Sequence, residues 1–298
     1  MVALAALAAA CDATPFRAAD IDVAPGAQPQ PAAVAAPSVP VLRFSVAAVE
    51  SPRDTFAAYS TLFERLGNRL GVRIEFVQRR TYREVNDLLA SGRLDAALVC
   101  TGGYLDLKDR SPAAVEVLAV PVADGVSTFE SLVIVPAASK AVSVSDLAGK
   151  RFAYTDELSF TGRAYVLHHL RALGHDPDRF FSGVTYTQSH DRSVAATARG
   201  LVDGAAVHSL IYAHMLARDP RLARRVRVLH RSPSFGMMPV VASTRLSPDQ
   251  RERLRRVLLD LSRDPEAAAA LATLGLEGFA VAAPGLFDSA AAVVAHAR

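Results

Sequence analysis

From Val41 onward the hydrophobic pattern repeatedly switches period, and this alternation restricts the fold more than any other feature of the chain. LRFSVAAV reads as a strand, and SPRDTFAAYSTLFERLGNRLG then carries Phe56, Leu62, Phe63, Leu66 and Leu70 at helical spacing. VRIEFVQ alternates Val72, Ile74 and Phe76 as a strand does, YREVNDLLASG predicts a short helix stopped at Gly92, and RLDAALVC predicts a buried strand. SLVIVP at 131–136, a short helix in SVSDLAGK and the strand RFAYT extend the series. A helix over 163–174 follows, then VTYT, a helix near 191–202, GAAVHS, a helix at 210–218 and RVRVLHR. PVVAS leads into SPDQRERLRRVLLDLSRD, which opens on a capping box at Ser247 and Gln250 and buries Leu254, Val257, Leu258 and Leu261. Such alternation dictates an α/β fold with mostly parallel sheets and ligands at the carboxyl ends of the strands. The 298 residues exceed one such sheet, and two blocks look alike: AAVES-P at 47–52 and AYTDELSFTG at 153–162. Two lobes around a cleft are therefore expected.

The loop TDELSFTGR, at 155–163, sets Ser159, Thr161 and Gly162 where a strand turns into a helix. Hydroxyls there cap orphan amides. The same amides and the helix dipole also attract an oxyanion, so the loop alone supports both roles.

Composition removes several classes. The net charge is +3, the basic run RLARRVRVLHR at 221–231 has no interleaved aromatics, and Trp is absent, so nucleic acid is not an expected partner. Neither HExxH nor paired CxxC occurs, and His168 and His169 are adjacent, pointing to different helix faces, so no metal is expected. No GxGxxG follows a strand, and no cofactor is expected. Ser159, His190 and Asp191 offer a hydrolase as a lesser alternative, against which the Asp adjoins the His and no GxSxG elbow surrounds the Ser.

The amino-terminal 40 residues have a different character. Residues 1–11, MVALAALAAAC, resemble the end of a bacterial lipoprotein signal, with Cys11 as the lipidated residue. No Lys or Arg precedes the apolar run, and an Ala-rich leader is the alternative. Residues 12–40 are rich in Pro and Ala and read as a tether. Together these place the body in the periplasm, with membrane contact only through lipid on Cys11. Eleven residues cannot span a bilayer, and no later window is long enough.

The order LRFSVAAVES, LGVRIEFVQRRTYREVNDLLASGRLDAALVC, LAGKRFAYTDELSFTG, TYTQSHDRSVAATARGLVDGAAV resembles the phosphonate/phosphite/phosphate-binding proteins of ABC importers, over roughly residues 41–245. The resemblance implies a type II periplasmic-binding fold: two doubly wound lobes, two crossover strands and a ligand held in the cleft. Crossovers are then expected near Val133–Pro136 and Phe235–Pro239. Residues 41–134 plus 237–298 form lobe one, and 135–236 form lobe two.

The same resemblance implies the site. The family loop D-P-x-S-T-S-G corresponds to Asp156, Glu157, Leu158, Ser159, Phe160, Thr161 and Gly162, with Phe160 in place of the middle hydroxyl residue. S-H-D is intact as Ser189, His190 and Asp191, where His190 meets an oxyanion oxygen. Tyr82 lines the cleft from lobe one, and Cys100, Thr101, Gly102 and Gly103 form an anion-facing turn. After VDGAAV, where aminophosphonate binders place an acid, this chain has His208, which does not attract a cation. A small oxyanion without a positive tail is the expected ligand, taken by a monomer that is not an enzyme and presented to an ABC permease. The alternative is a sensor acting on a membrane histidine kinase. In that branch Cys100 contacts arsenite, against the simpler reading of Cys100 as a buried core thiol.

Overall fold

The computed structural model describes residues 39–49 and 52–297. Cys11, the 1–11 segment, the tether through residue 38, and Glu50 and Ser51 of the AAVES loop lie outside the described residues. The strands are β1 (Val41–Val46), β2 (Arg73–Phe76), β3 (Ala96–Leu98), β4 (Val115–Val122), β5 (Thr128–Phe129), β6 (Ser131–Pro136), β7 (Arg151–Tyr154), β8 (Gly183–Tyr186), β9 (Gly204–His208), β10 (Val226–Arg231), β11 (Phe235–Gly236), β12 (Val240–Ser243) and β13 (Gly278–Ala280). The helices are α1 (Pro52–Leu70), α2 (Tyr82–Ala90), α3 (Thr101–Arg110), α4 (Tyr165–Ala172), α5 (Pro177–Phe180), α6 (His190–Ala198), α7 (Ser209–Arg218), α8 (Pro248–Leu259), α9 (Pro265–Thr273) and α10 (Asp288–Ala297).

Two sheets result, in the orders β13-β4-β12-β3-β1-β2 and β10-β6-β9-β7-β8. The inner strands are parallel: β1 with β2 and β3, and β7 with β8 and β9. The strands that return from the other sheet, β12 and β6, pair antiparallel with β3 and β9. Both faces of these inner strands are covered, so Ala96–Leu98, Leu132–Val135 and Gly204–His208 are buried without alternation. Capping is legible where the sequence suggested it. Ser247 and Gln250 close the α8 capping box, and Thr81 with Glu84 makes another at α2.

The chain crosses between the sheets twice. The crossings meet in a short antiparallel ribbon, β5 with β11, where Phe129 faces Phe235 and Thr128 faces Gly236. Phe235–Gly236 falls where the second crossover was expected. The first crossing lies upstream of its expected place. Residues 131–134, assigned to lobe one above, belong to β6, whose pairing with both β9 and β10 makes it an interior strand of the second sheet. An apolar strand covered on both faces reads alike in either sheet. The change of direction lies in the Asp124–Gly125 turn, both with positive φ.

A second difference concerns Cys100, Thr101, Gly102, Gly103 and Tyr104, expected as an anion-facing turn with exposed amides. They are the N-cap and first turn of α3, and Thr101, Gly102, Gly103 and Tyr104 are buried. The consecutive glycines and lack of a capping side chain hid this helix in the sequence.

Candidate functional site

The carboxyl ends of β1, β3, β7 and β9 converge on the face where the two sheets meet. The loop after β7 begins with Thr155 and Asp156, passes through Ser159, and enters a single π-helical turn, Phe160–Ala164, before α4. Ser159 caps this turn, its Oγ accepting from Gly162 N at 3.0 Å. Gly162 is required here, because a Cβ would lie 2.4 Å from Thr155 Oγ1 and 2.8 Å from Ser159 Oγ. Thr161, buried, accepts from Ser131 Oγ through its carbonyl at 2.7 Å.

The first sheet's loops close directly onto this segment. Tyr82 N donates to Asp156 Oδ2 at 3.2 Å, and His190 N donates to Val49 O at 2.9 Å. Thr101 Oγ1 donates to Gly236 O in the ribbon at 3.0 Å, so its hydroxyl serves the crossing. A Cβ on Gly102 would lie 2.3 Å from Leu158 O and 2.9 Å from Phe160 N; only glycine permits this approach. Phe160 is fully buried and packs against Phe235, with ring centroids at 4.7 Å, and edge-on to Phe129 at 6.1 Å. Its side chain thus pins the loop to the ribbon.

Cys100 is a core thiol at a boundary. It is buried, yet it lies at the contact between the sheets, Sγ 4.0 Å from Leu158 O. Burial raises the thiol pKa; the amides of Phe160, Gly103 and Gly102 oppose this and Asp156 adds to it. The sulfur is a protonated thiol at neutral pH.

Two histidines define the chemistry. His190 Nδ1 accepts from His208 N at 3.2 Å and faces Thr155 Oγ1 at 3.0 Å. His208 Nδ1 accepts from Leu210 N at 3.2 Å, capping α7, while its ring stacks on Phe129 at 4.5 Å and 8°. An Nδ1 that accepts from a backbone N–H carries no proton, so each neutral ring holds its proton on Nε2. Both Nε2 atoms are buried and lack a partner. Burial, with a smaller contribution from His208, drives the His190 pKa well below its usual value, and burial pushes His208 down to about 3. The rings are 5.8 Å apart.

Tyr82 OH and Ser189 Oγ are likewise buried and without a hydrogen bond. Burial raises the Tyr82 pKa, Cys100 and Asp156 add to it, and Ser159 opposes it; Ser159 is near enough to act electrostatically without reaching hydrogen-bond geometry. Gln188 Oε1, on the loop before α6, and Asp191 Oδ1, in its first turn, add two unpartnered acceptors. Asp156 is kept from solvent; burial raises its pKa, while the amides of Leu158 and Tyr82 offset it. Leaving so many polar atoms unpaired in a closed interior is unfavourable unless a guest completes them. The uncommitted donors Tyr82, Ser189, His190 and His208 are all neutral.

Sequence reasoning named Tyr82, Cys100, Thr101, Gly102, Ser159, Phe160, Thr161, Gly162, His190 and His208, and the fold gathers them where the two sheets meet, with the Thr101 hydroxyl spent on the ribbon. It did not single out Ser189 for its own hydroxyl, Val49, Thr155, Phe129 or Ser131. Thr155 and Ser131, polar residues at the edges of buried strands, were the available signal. Elsewhere His168 and His169 diverge, toward His296 and His230, and no group of three His, Cys, Asp or Glu among the described residues could hold a metal ion.

Residues 44–285 match the family described as ABC transporter, phosphonate, periplasmic substrate-binding protein. The chain belongs to this family. It is 22% identical over 242 residues to the phosphonates-binding periplasmic protein of Escherichia coli strain K12, a span of 80% of this chain and 71% of that one. Its fold is shared with a binding protein component of an ABC phosphonate transporter from Pseudomonas aeruginosa (TM-score 0.77, 22% identity, 83% of each chain). It is also shared with PhnD1 of Prochlorococcus marinus in complex with methylphosphonate (TM-score 0.76, 18% identity, 85% of this chain and 96% of that one). The family is one of substrate-binding proteins, and its place is the periplasm.

The histidine shifts give a pH prediction. Both pKa values are lowered on folding, so the unfolded chain binds more protons below the usual 6.5. Stability is fully present above that value and is lost as pH falls toward about 3. For His208, about 2 kcal/mol is lost by pH 5. Melting temperature against pH should therefore be flatter between pH 7 and 5, about that range, for His208→Asn than for the native chain; parallel profiles would contradict the assignment.

Proposed function

We propose that the chain captures a small phosphonate-, phosphite- or phosphate-like oxyanion without a cationic tail between its two lobes and presents it to an ABC permease. The observation that carries this is the pair of buried neutral histidines, each with an unpartnered Nε2–H. Hydrogen bonds to an ionised acceptor are stronger than neutral ones, and a closed site keeps out competing water. His208 adds a donor where an ammonium would need an acceptor, which argues against an aminoalkyl phosphonate.

The test is a thermal-shift panel of phosphate, phosphite, methylphosphonate, aminoethylphosphonate, sulfate, arsenate and arsenite, since a ligand of the native state raises its melting point by mass action. Phosphite or methylphosphonate should raise it and aminoethylphosphonate should leave it unchanged. Stabilisation by aminoethylphosphonate would defeat the His208 argument. The sensor reading has one observation in its favour, the position of Cys100 at the closing contact. It predicts a shift with arsenite that disappears in Cys100→Ser.

A further inference from the structure

At the far end of α1, Arg69, Arg253, Arg256, Arg263, Val257 and Asp260 line a cavity of about 530 Å³. Its four guanidinium groups share one lining carboxylate. Arg69 and Arg263 both pair with Asp260, and Arg69 also donates to Asp260 O at 2.7 Å. Among the described residues Arg256 reaches only Glu252, at 3.9 Å, and Arg253 makes no ion pair. Arg253 Nη2 instead lies over Gly71, 4.0 Å from where a Cβ would begin. With Glu252 counted beside Asp260, four positive charges face two negative ones, a local surplus of two. Guanidinium forks match phosphate oxygens in pairs, so an anionic phosphate group is the chemistry that would complete this pocket.

The same turn has a second, apolar side. Gly67, Asn68, Val72 and Arg73 border a groove with Phe56 and Phe76, which Ser60 and Glu64 also line, and Phe56 is 56% exposed while stacking on Phe76 at 6.1 Å. Arg73, two residues beyond Gly71, donates its backbone N–H to Pro40 O at 2.9 Å. The chain therefore enters the fold beside both features. A free phosphate would need neither the aromatic ledge nor the point of entry, whereas a membrane surface would use all three.

We propose that this side of the first lobe, along α1, is a docking face for an anionic phospholipid surface, with the arginine pocket on a headgroup phosphate and Phe56 in the interface. The face acts whether or not Cys11 carries lipid. Basic residues near an anionic leaflet attract it within a Debye length, and exposed aromatics insert at the headgroup boundary.

The test sediments the full chain carrying Cys11→Ser, so that no acyl group contributes, with phosphatidylcholine vesicles with and without about 30% phosphatidylglycerol. Binding should require the anionic lipid and weaken with salt. Arg253→Gln with Arg256→Gln should lower it about thirtyfold, about fivefold for each arginine, with the cleft's response to its oxyanion retained. Phe56→Ser, at the other end of the groove and about 20 Å back along α1 from Arg69, should lower binding while preserving the salt dependence. Equal binding to neutral and anionic vesicles, or no change in the double variant, would overturn the proposal. So would displacement by inorganic phosphate at constant ionic strength, which would identify a free-anion site.

Discussion

Replacing His190 by Ala should weaken oxyanion binding by about ten- to 150-fold, the loss expected when one donor to a charged acceptor is removed. The effect has two sources. The Nε2–H that faces no protein partner disappears, and His208 N, at 3.2 Å from Nδ1, loses its acceptor. The second loss disturbs the backbone position from which His208 presents its own ring. Isothermal calorimetry with the best ligand of the panel reads the change, and the melting temperature of the unliganded variant separates it from unfolding. An unchanged affinity would remove His190 from the site and, with it, the tautomer argument.

Gly102→Val should reduce affinity more, by about a hundredfold or beyond, because it acts on the closed state itself. The added side chain would begin 2.3 Å from Leu158 O and 2.9 Å from Phe160 N, backbone atoms of the opposite lobe. Backbone cannot swing aside as a flexible side chain can. The lobes would be held apart, opening the part of the core where Phe160 and Tyr165 pack against the first lobe, while the clusters confined to the second sheet stay intact. Small-angle scattering with saturating ligand should therefore show a larger radius of gyration than the native chain. Gly103→Ala supplies the control, since its Cβ would meet nothing closer than Asn86 Nδ2 at 3.7 Å. If Gly102→Val bound and compacted like the native chain, the contact between Gly102 and the 158–160 segment would not belong to the ligand-bound form.

These two residues also mark how far the sequence could be read. His190 was legible through the short family string Ser189-His190-Asp191, which forms the N-cap and first turn of α6 and whose members are neighbours in sequence. Gly102 was legible as a residue of interest but not for its reason. Its partners are Leu158 and Phe160, more than 50 positions away, and its segment was read as a turn although it is the first turn of α3. Phe160 shows the same limit. The sequence marked it as a lost hydroxyl, and the structure gives the ring a position between Phe129 and Phe235 on the crossing ribbon.

Cys100 and the first crossover show why some questions stayed open. A thiol ending an apolar strand is consistent with both core and cleft, and here it is a buried member of the core at the point where that core meets Leu158 of the second lobe. The strand SLVIVP carries no periodic mark of which sheet it joins, because both its faces are covered.

The sequence by itself determined the periodicities, and through them an α/β fold of two sheets, together with the kinds of group available to the site: hydroxyls, glycines and two histidines. These are properties of residues and of short spacings. Tertiary structure alone decided which nitrogen of each histidine is free. That choice depends on His208 N reaching His190 Nδ1 and Leu210 N reaching His208 Nδ1, within a burial that keeps both rings neutral. Hydrogen-bond partners and desolvation are set by what packs around a group, which spacing along the chain does not encode.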